Sequence, residues 1–145
     1  MSALPTVATL LGRAGLLPFV AAPLALATLG EEHRALVSGL LADYAFGIIA
    51  FLPGIWWGLA LVRRRAPILL MSNAIFLGAL AGKWILPDGK FLPFAAALLG
   101  LMLLVERSHT LFRPQPAYYA RLRIELTVVA GLSLLVSASI PNAGS

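Results

Sequence analysis

Five long apolar segments with few charges constrain this chain more than any other feature of its sequence. They are separated by short polar joints and cover residues 7–29, 35–62, 67–86, 91–105 and 118–140. Because a helix rises about 1.5 Å per residue, about 20 residues cross the roughly 30 Å hydrocarbon core of a bilayer. The pattern predicts an all-α polytopic membrane protein, a bundle of about five transmembrane helices.

The composition excludes an ordinary water-soluble domain. Hydrophobic residues make up 60% of the chain and charged residues only 12%, whereas soluble domains average about 25% charged residues. So few charges do not cover the surface of a soluble fold of this size. The 145 residues leave little room for a soluble head, and we expect residues 1–145 to form a single transmembrane domain.

The first apolar segment has two interpretations. Arg13, the apolar stretch 14–24 and the small residues 25–27 together resemble a bacterial signal peptide. However, the charge comes late for such a peptide, and Pro18 and Pro23 interrupt the apolar core. We therefore expect a retained first helix.

The basic residues predict the orientation of the bundle. Five crossings put the N-terminus and the joints after the second and fourth helices on one side of the membrane. That side carries eight of the eleven basic residues: Arg13, Arg63, Arg64, Arg65, Arg107, Arg113, Arg121 and Arg123. The other side carries Arg34, Lys83 and Lys90. Because basic residues concentrate on the cytoplasmic side, the bias predicts an N-in, C-out protein. The net charge of +5 thus reflects topology and contact with anionic lipid rather than nucleic-acid binding.

Several polar and aromatic residues fall at a similar depth near the cytoplasmic side. If the bundle brings their faces together, they form an intramembrane layer of Arg13, Trp56, Trp57, Asn73, Arg121 and Glu125. Glu125 lies one helical turn from Arg121, so a salt bridge at the helix end is one interpretation. A carboxylate that lines a pocket for a small molecule or a proton is the other. The sequence leaves open whether Arg13 faces Glu125.

A second pair of charges lies toward the opposite side. Asp43 lies about two turns into the second helix, and Lys83 about one turn from the end of the third. The long lysine side chain can reach an aspartate at that depth. We expect Asp43 and Lys83 to form a mainly structural ion pair.

A proline and two pairs of glycines predict a helix break and close packing. Pro53 removes a backbone donor beside Gly54, which predicts a break or kink in the second helix. Gly54 with Gly58, and Gly78 with Gly82, form small-residue strips of the kind that allow helices to approach closely. The alternative is a broken helix that lines a cavity walled by the tryptophans.

The residues offer little for catalysis or metal binding. The chain has no cysteine, and its two histidines, His33 and His109, are far apart in predicted loops. We therefore predict no metal site and no cofactor. No serine has the base that would activate it, and no glycine-rich phosphate loop is present. We expect a protein that is not an enzyme and has no catalytic residues.

Three stretches, in this order along the chain, carry a family resemblance. They are Leu11-Gly12-Arg13-Ala14-Gly15-Leu16-Leu17-Pro18-Phe19, the segment 51–59 with its Gly-x-x-Trp-Gly core, and Tyr119-Ala120-Arg121-Leu122-Arg123 leading to Leu126-Thr127. With them the chain resembles an uncharacterised bacterial inner-membrane family that is similar to the mitochondrial transmembrane protein 69. The resemblance implies a small five-helix membrane protein with no assigned activity.

Three functions are compatible with the sequence. It favours an accessory or assembly protein whose partners are membrane lipids, other membrane proteins or further copies of the chain. The first alternative is a binder or carrier of a hydrophobic small molecule such as a quinone, a tetrapyrrole or a lipid. The second is a proton-coupled transporter or intramembrane enzyme that uses Glu125 and Asp43.

Overall fold

The computed structural model describes residues 3–112 and 115–141, which form α-helices and one short 3₁₀ turn, with no strand in those ranges. The helices are α1 (Leu4–Ala14), α2 (Leu17–Thr28), α3 (Glu31–Arg63), α4 (Ala66–Ile85), α5 (Asp88–Ser108) and α6 (Ala117–Ser139), and the 3₁₀ turn is Thr110–Phe112. Within the described ranges, five helical segments are long and apolar enough to cross a membrane, counting α1 and α2 together as the first. This confirms the all-helical, five-span prediction.

The first span is divided, where the sequence predicted one helix over 7–29. Gly15 and Leu16 separate α1 from α2. Pro18 lies in the first turn of α2, where a helix start tolerates its missing N–H. The Tyr44 hydroxyl of α3 donates to the Gly15 carbonyl at 2.6 Å, which satisfies a backbone group at the break.

By contrast, α3 is continuous, so the predicted break at Pro53 and Gly54 does not occur, whereas the kink expected there stays a prediction. The helix runs from Glu31 to Arg63 with Pro53 inside it. A proline removes only one donor from the ladder, and the buried turns around it hold the helix together. The 33 residues measure about 50 Å, more than the hydrocarbon thickness. The helix ends after Arg63 because the next residue, Arg64, has a left-handed φ of 54°.

The fourth span is longer than predicted at both ends. The sequence assigned Pro87–Lys90 to a turn, but α5 begins at Asp88, and the amides of Lys90 and Phe91 both donate to the Pro87 carbonyl at 2.9 Å. At the other end α5 includes Glu106, which the sequence placed in a loop. The remaining span limits lie within one residue of the prediction, apart from the starts of the first and second spans at Leu4 and Glu31 rather than 7 and 35.

Four helices form the centre of the bundle. Neighbouring contacts run from α2 to α3, α3 to α5, α5 to α6 and α6 back to α2. Helix α4 packs outside this group on α3 and α5, whereas α1 packs on α6. The largest buried side chains come from the central helices and α4: Trp56, Phe19, Phe91, Leu26, Ile49, Ile68, Leu92, Met102 and Leu134. Helix α1 contributes no buried residue.

Candidate functional site

A buried cluster of three side chains joins α3, α5 and α6 near one end of the bundle. The Arg123 guanidinium donates from Nε to Glu106 Oε2 at 2.9 Å and from Nη2 to Glu106 Oε1 at 3.1 Å. The Trp56 indole N–H donates to Glu106 Oε1 at 2.9 Å. The Glu106 and Arg123 side chains are each only 6% exposed. We call Trp56, Glu106 and Arg123 the buried triad.

The geometry of the triad meets the requirements of a charge pair in an apolar interior. A planar guanidinium matches both carboxylate oxygens at once, which makes this the strongest type of ion-pair contact. Buried charges are costly unless their hydrogen-bonding capacity is used, and the indole adds a third donor to the same carboxylate. The triad therefore ties three helices together by polar contacts that lipid cannot replace.

The 3₁₀ turn between α5 and α6 covers the triad. Phe112 is buried, and its ring lies 5.2 Å from that of Trp56, tilted by 52°. His109 also contacts Phe112, with ring centroids 6.2 Å apart. The joint thus places an aromatic cluster over the charged one.

Sequence reasoning missed two members of the triad. It placed Glu106 in a loop and counted Arg123 as a topology signal and as part of a family motif, without a partner for either residue. One signal was present, because Glu106 and Glu125 are the only acidic residues on the basic side of the predicted bundle. An isolated acid among arginines near helix ends is a natural partner for one of them.

A second ion pair joins α1 to α6 at the surface of the bundle. Arg13 Nε lies 3.0 Å from Glu125 Oε1, and Arg13 Nη2 lies 3.1 Å from Oε2. The two side chains are 60% and 40% exposed. Glu125 therefore pairs with Arg13, and not with Arg121 as the helix-end interpretation proposed.

The predicted polar and aromatic layer does not form as one site. Trp57 is 42% exposed, and Asn73 and Arg121 are exposed as well. Successive helix residues point about 100° apart, so Trp57 cannot share the buried face of Trp56. The bundle instead brings Arg13 to Glu125, and Trp56 to Glu106 and Arg123.

A cavity of about 440 Å³ lies beside these charges, between α1–α2, α3 and α6. It extends along α6 from Tyr119 to Ala130, about three turns. Its wall is apolar apart from Tyr119, Arg123 and Thr127. The lining residues are Ala8, Leu11, Gly12, Gly15, Leu16, Phe19, Ile48, Phe51, Leu52, Ile55, Leu99, Tyr119, Leu122, Arg123, Leu126, Thr127 and Ala130.

The cavity opens toward the outer surface of the bundle. Leu11 of α1 and Phe51 of α3 both line the cavity and are strongly exposed on the outside of the bundle. Helix α1 packs on α6, where a Cβ at Gly12 would lie 3.3 Å from Leu122. The opening therefore lies on the side of α1 next to α3.

Tyr44 lies behind the wall of the cavity, and Thr127 lies in the wall. Phe19 lines the cavity, and the Tyr44 ring, 5.1 Å from that of Phe19, reaches the helix break behind it. Thr127 is 8% exposed, and its Oγ1 has no hydrogen-bond partner in the part of the chain that the structure describes. Thr127 also borders a shallow surface groove between α5 and α6, which includes Ala97 and Gly131.

The glycine strips do not behave as predicted within the chain. A Cβ built on Gly54, Gly58 or Gly78 would meet no atom within 4 Å, so these glycines do not allow a close approach of helices in this bundle. They lie on exposed faces. Gly82 differs, because a Cβ there would overlap the Phe94 ring of α5.

At the opposite end, Lys83 lies between two aspartates. Lys83 Nζ is 3.2 Å from Asp43 Oδ1, the pair that the sequence proposed, and 2.9 Å from Asp88 Oδ1. Asp88 was missed because the sequence placed it in a turn. The three residues connect α3, α4 and α5.

Comparison with known proteins agrees with the resemblance drawn from the motifs. A profile described as "Protein of unknown function (DUF3429)" matches residues 4–139. Transmembrane protein 69 of Xenopus tropicalis is 31% identical over 137 residues, which cover 92% of this chain and 54% of that protein. The chain thus spans about half the length of this relative. No solved structure matches the chain.

Proposed function

The chain belongs to the family described as "Protein of unknown function (DUF3429)", and from that premise we propose that it binds a hydrophobic small molecule of the membrane. The observation that carries this proposal is the cavity between α1–α2, α3 and α6. Its volume of about 440 Å³ lies within the range of about 300–1,000 Å³ typical of ligand pockets. An apolar wall with a few polar groups is also typical of such sites.

The surroundings of the cavity support the same proposal. The opening beside α1 faces lipid, and α1 contributes no buried residue to the bundle. A wall with so few buried contacts opens at lower cost than the central helices. A ligand can therefore exchange between the cavity and the bilayer without disturbing the buried triad.

The test is native mass spectrometry of the protein extracted gently from its own membrane. We expect a co-purifying lipophile at fixed stoichiometry. The Ala8→Phe variant fills the cavity from the α1 side and is expected to lose it. Gly131→Phe is the matched control, because it adds the same ring in the surface groove, where a Cβ meets no atom. Absence of a lipophile from the unsubstituted protein, or equal retention in both variants, would overturn the proposal.

An accessory or assembly role is the second candidate function. Gly54 and Gly58 lie on the exposed face of α3 with free space above them, which suits a helix of another membrane protein or a second copy. In the same mass spectra this role predicts a bound protein subunit or a homo-oligomer. The Gly58→Leu variant is expected to dissociate that complex. The accessory role is contradicted if the spectra show only a monomer for both the unsubstituted protein and Gly58→Leu.

We also propose an N-in, C-out orientation in a bacterial inner membrane. The basic bias between the two sides supports it. The contact of Arg34 Nη1 with the Pro141 carbonyl at 3.3 Å places the start of α3 and the end of α6 at the same end of the bundle. Because the chain has no cysteine, single cysteines can report sidedness. In intact cells an impermeant maleimide should label Lys90→Cys and spare Arg64→Cys, and the reverse result contradicts this orientation.

We further propose that the protein is not an enzyme or a proton-coupled transporter. In the described residues the carboxylates that would serve such chemistry are engaged in ion pairs: Asp43 with Lys83, Glu106 with Arg123, and Glu125 with Arg13. A carboxylate that must exchange a proton is poorly served by a permanent cationic partner. Loss of cellular function in both Asp43→Asn and Glu125→Gln, with the fold intact, would contradict this proposal.

A further inference from the structure

The polar groups of the cavity are confined to one face of α6. Tyr119, Arg123 and Thr127 succeed one another at four-residue spacing, so they lie along a single strip of the helix. The remainder of the wall, including Phe19, Ile48 and other lining residues of α1, α2, α3 and α5, is apolar. A molecule that matches this wall has a polar part at the α6 strip and an apolar chain along the rest of the wall.

The charges at the cavity are already balanced. Arg123 is held by both oxygens of Glu106, and Arg13, next to the lining residue Gly12, is held by both oxygens of Glu125. An additional ionised group in this apolar space would have no counter-charge, and burying it would be strongly unfavourable. The cavity is therefore built for a polar group without charge.

Thr127 lines the cavity and carries an unused hydrogen-bonding group, an Oγ1 that is itself buried and reaches a ligand when the side chain rotates. In a membrane helix a threonine hydroxyl commonly bonds to the carbonyl four residues before it, but Thr127 Oγ1 has no partner in the described residues. An unpaired hydroxyl in a site more than nine-tenths buried is costly unless something fills its hydrogen bond. An oxygen atom of a ligand would satisfy it.

We propose that the cavity selects a lipophile with a single uncharged, oxygen-bearing end, of the class of long-chain alcohols, esters and quinones, and that the Thr127 hydroxyl binds that oxygen. This proposal rests on the proposed function and names the chemistry of its ligand. Lipids whose polar end is ionised are excluded because Arg123, which lines the cavity, and Arg13, next to the lining residue Gly12, each already have a carboxylate partner.

The experiment compares three probes that share one alkyl chain: hexadecane, hexadecanol and hexadecyl sulfate. Each is added to the full-length protein in nanodiscs from which bound lipophile has been removed, and the bound fraction is measured by native mass spectrometry. We expect hexadecanol to bind about threefold to tenfold more tightly than hexadecane, the effect of one neutral hydrogen bond. We expect hexadecyl sulfate to bind no better than hexadecane.

Two variants assign the selectivity to one hydroxyl. Thr127→Val replaces the hydroxyl with a methyl group and should reduce hexadecanol to the level of hexadecane, whereas Thr127→Ser should keep the preference. Ser137→Ala is the matched control, because Ser137 Oγ is also buried without a partner in the described residues but does not line the cavity. It should leave the preference unchanged.

The outcomes separate this proposal from the one on which it rests. Tightest binding of hexadecyl sulfate, or an unchanged preference in Thr127→Val, overturns the ligand class while leaving the cavity as the site if Ala8→Phe abolishes binding. Undiminished binding of every probe to Ala8→Phe overturns the proposed function itself.

Discussion

Two ion pairs made by residues two positions apart on α6 have the same chemistry and different surroundings. Arg123 with Glu106 and Arg13 with Glu125 are both bidentate, with shortest distances of 2.9 and 3.0 Å. The first is 6% exposed on each side, receives an indole N–H and lies beneath an aromatic ring. The second is 60% and 40% exposed and joins α6 to a helix with no buried residue.

The difference distinguishes a pair that connects the central helices from a pair that holds only α1. The buried triad connects three of the four central helices, so its loss affects the whole bundle. The exposed pair holds only α1, which forms one side of the cavity. Buried ion pairs are costly to break because the remaining charge is left unpaired, whereas exposed pairs contribute little. We therefore expect stability to depend on the first pair and ligand exchange on the second.

The largest effect is expected from Glu106→Gln, which leaves the Arg123 guanidinium buried without a counter-charge. The free energy of unfolding should fall by about 3–5 kcal/mol, measured by denaturation in mixed micelles. The double variant Glu106→Leu/Arg123→Leu is the control, and it should be more stable than the single variant because no unpaired charge remains. A single variant as stable as the unsubstituted protein would show that the pair is not structural.

A smaller effect is expected from Trp56→Phe. The variant keeps the aromatic contact with Phe112 and removes the indole donor to Glu106. Loss of a hydrogen bond to a charged group should lower the free energy of unfolding by about 1.5–3 kcal/mol. Trp57→Phe removes an indole that is largely exposed, and the same measurement should show almost no change. Equal effects of the two substitutions would contradict the assignment of the triad.

An intermediate case is Lys83, which is partly buried between Asp43 and Asp88. Each single aspartate-to-asparagine variant should lower the free energy of unfolding by about 1 kcal/mol or less. The Asp88→Asn effect should be the larger, because that contact is shorter, at 2.9 against 3.2 Å. A double-mutant cycle with Lys83→Met measures each coupling. Strictly additive effects would mean that the pairs are contacts without energetic coupling.

The smallest effect on stability is expected from Arg13→Gln, about 1 kcal/mol or less because the pair is exposed. Its effect on exchange should be clearer: with α1 held less tightly, hexadecanol should dissociate faster than from the unsubstituted protein. The charge-reversed double variant Arg13→Glu/Glu125→Arg should restore the slower dissociation. If Arg13→Gln destabilises the protein as much as Glu106→Gln does, the contrast between the two pairs is wrong.

The sequence predicted the spans more successfully than their interruptions. Long uncharged segments located five spans because lipid permits only helices with all their backbone groups bonded. Proline was a poor guide, since α3 continues through Pro53 whereas the first span breaks before Pro18. The sequence does not show where a carbonyl at such a break finds its partner, as the Gly15 carbonyl does in Tyr44. That partner lies 29 residues away.

The sequence predicted less of the candidate site than of the spans. Arg13, Glu125, Trp56, Asp43 and Lys83 were all selected from the sequence, because a polar or aromatic group at membrane depth requires a partner. Their partners were identified only for Asp43 and Lys83. Glu106 was assigned to a loop because helix limits blur where apolar character ends, and its burial depends on Arg123 and Trp56 from two other helices.

Composition and periodicity alone determine that the helices of this protein lie in lipid rather than water. They also determine the number of spans and the residues that need partners. These properties are local, because the cost of exposing a backbone group or a charge to hydrocarbon is the same wherever the helix lies. The pairing of Arg13 with Glu125, the burial of Glu106 and the cavity beside α1 arise from the rotation and the neighbours of each helix. These depend on packing between helices distant in sequence, which only the tertiary structure decides.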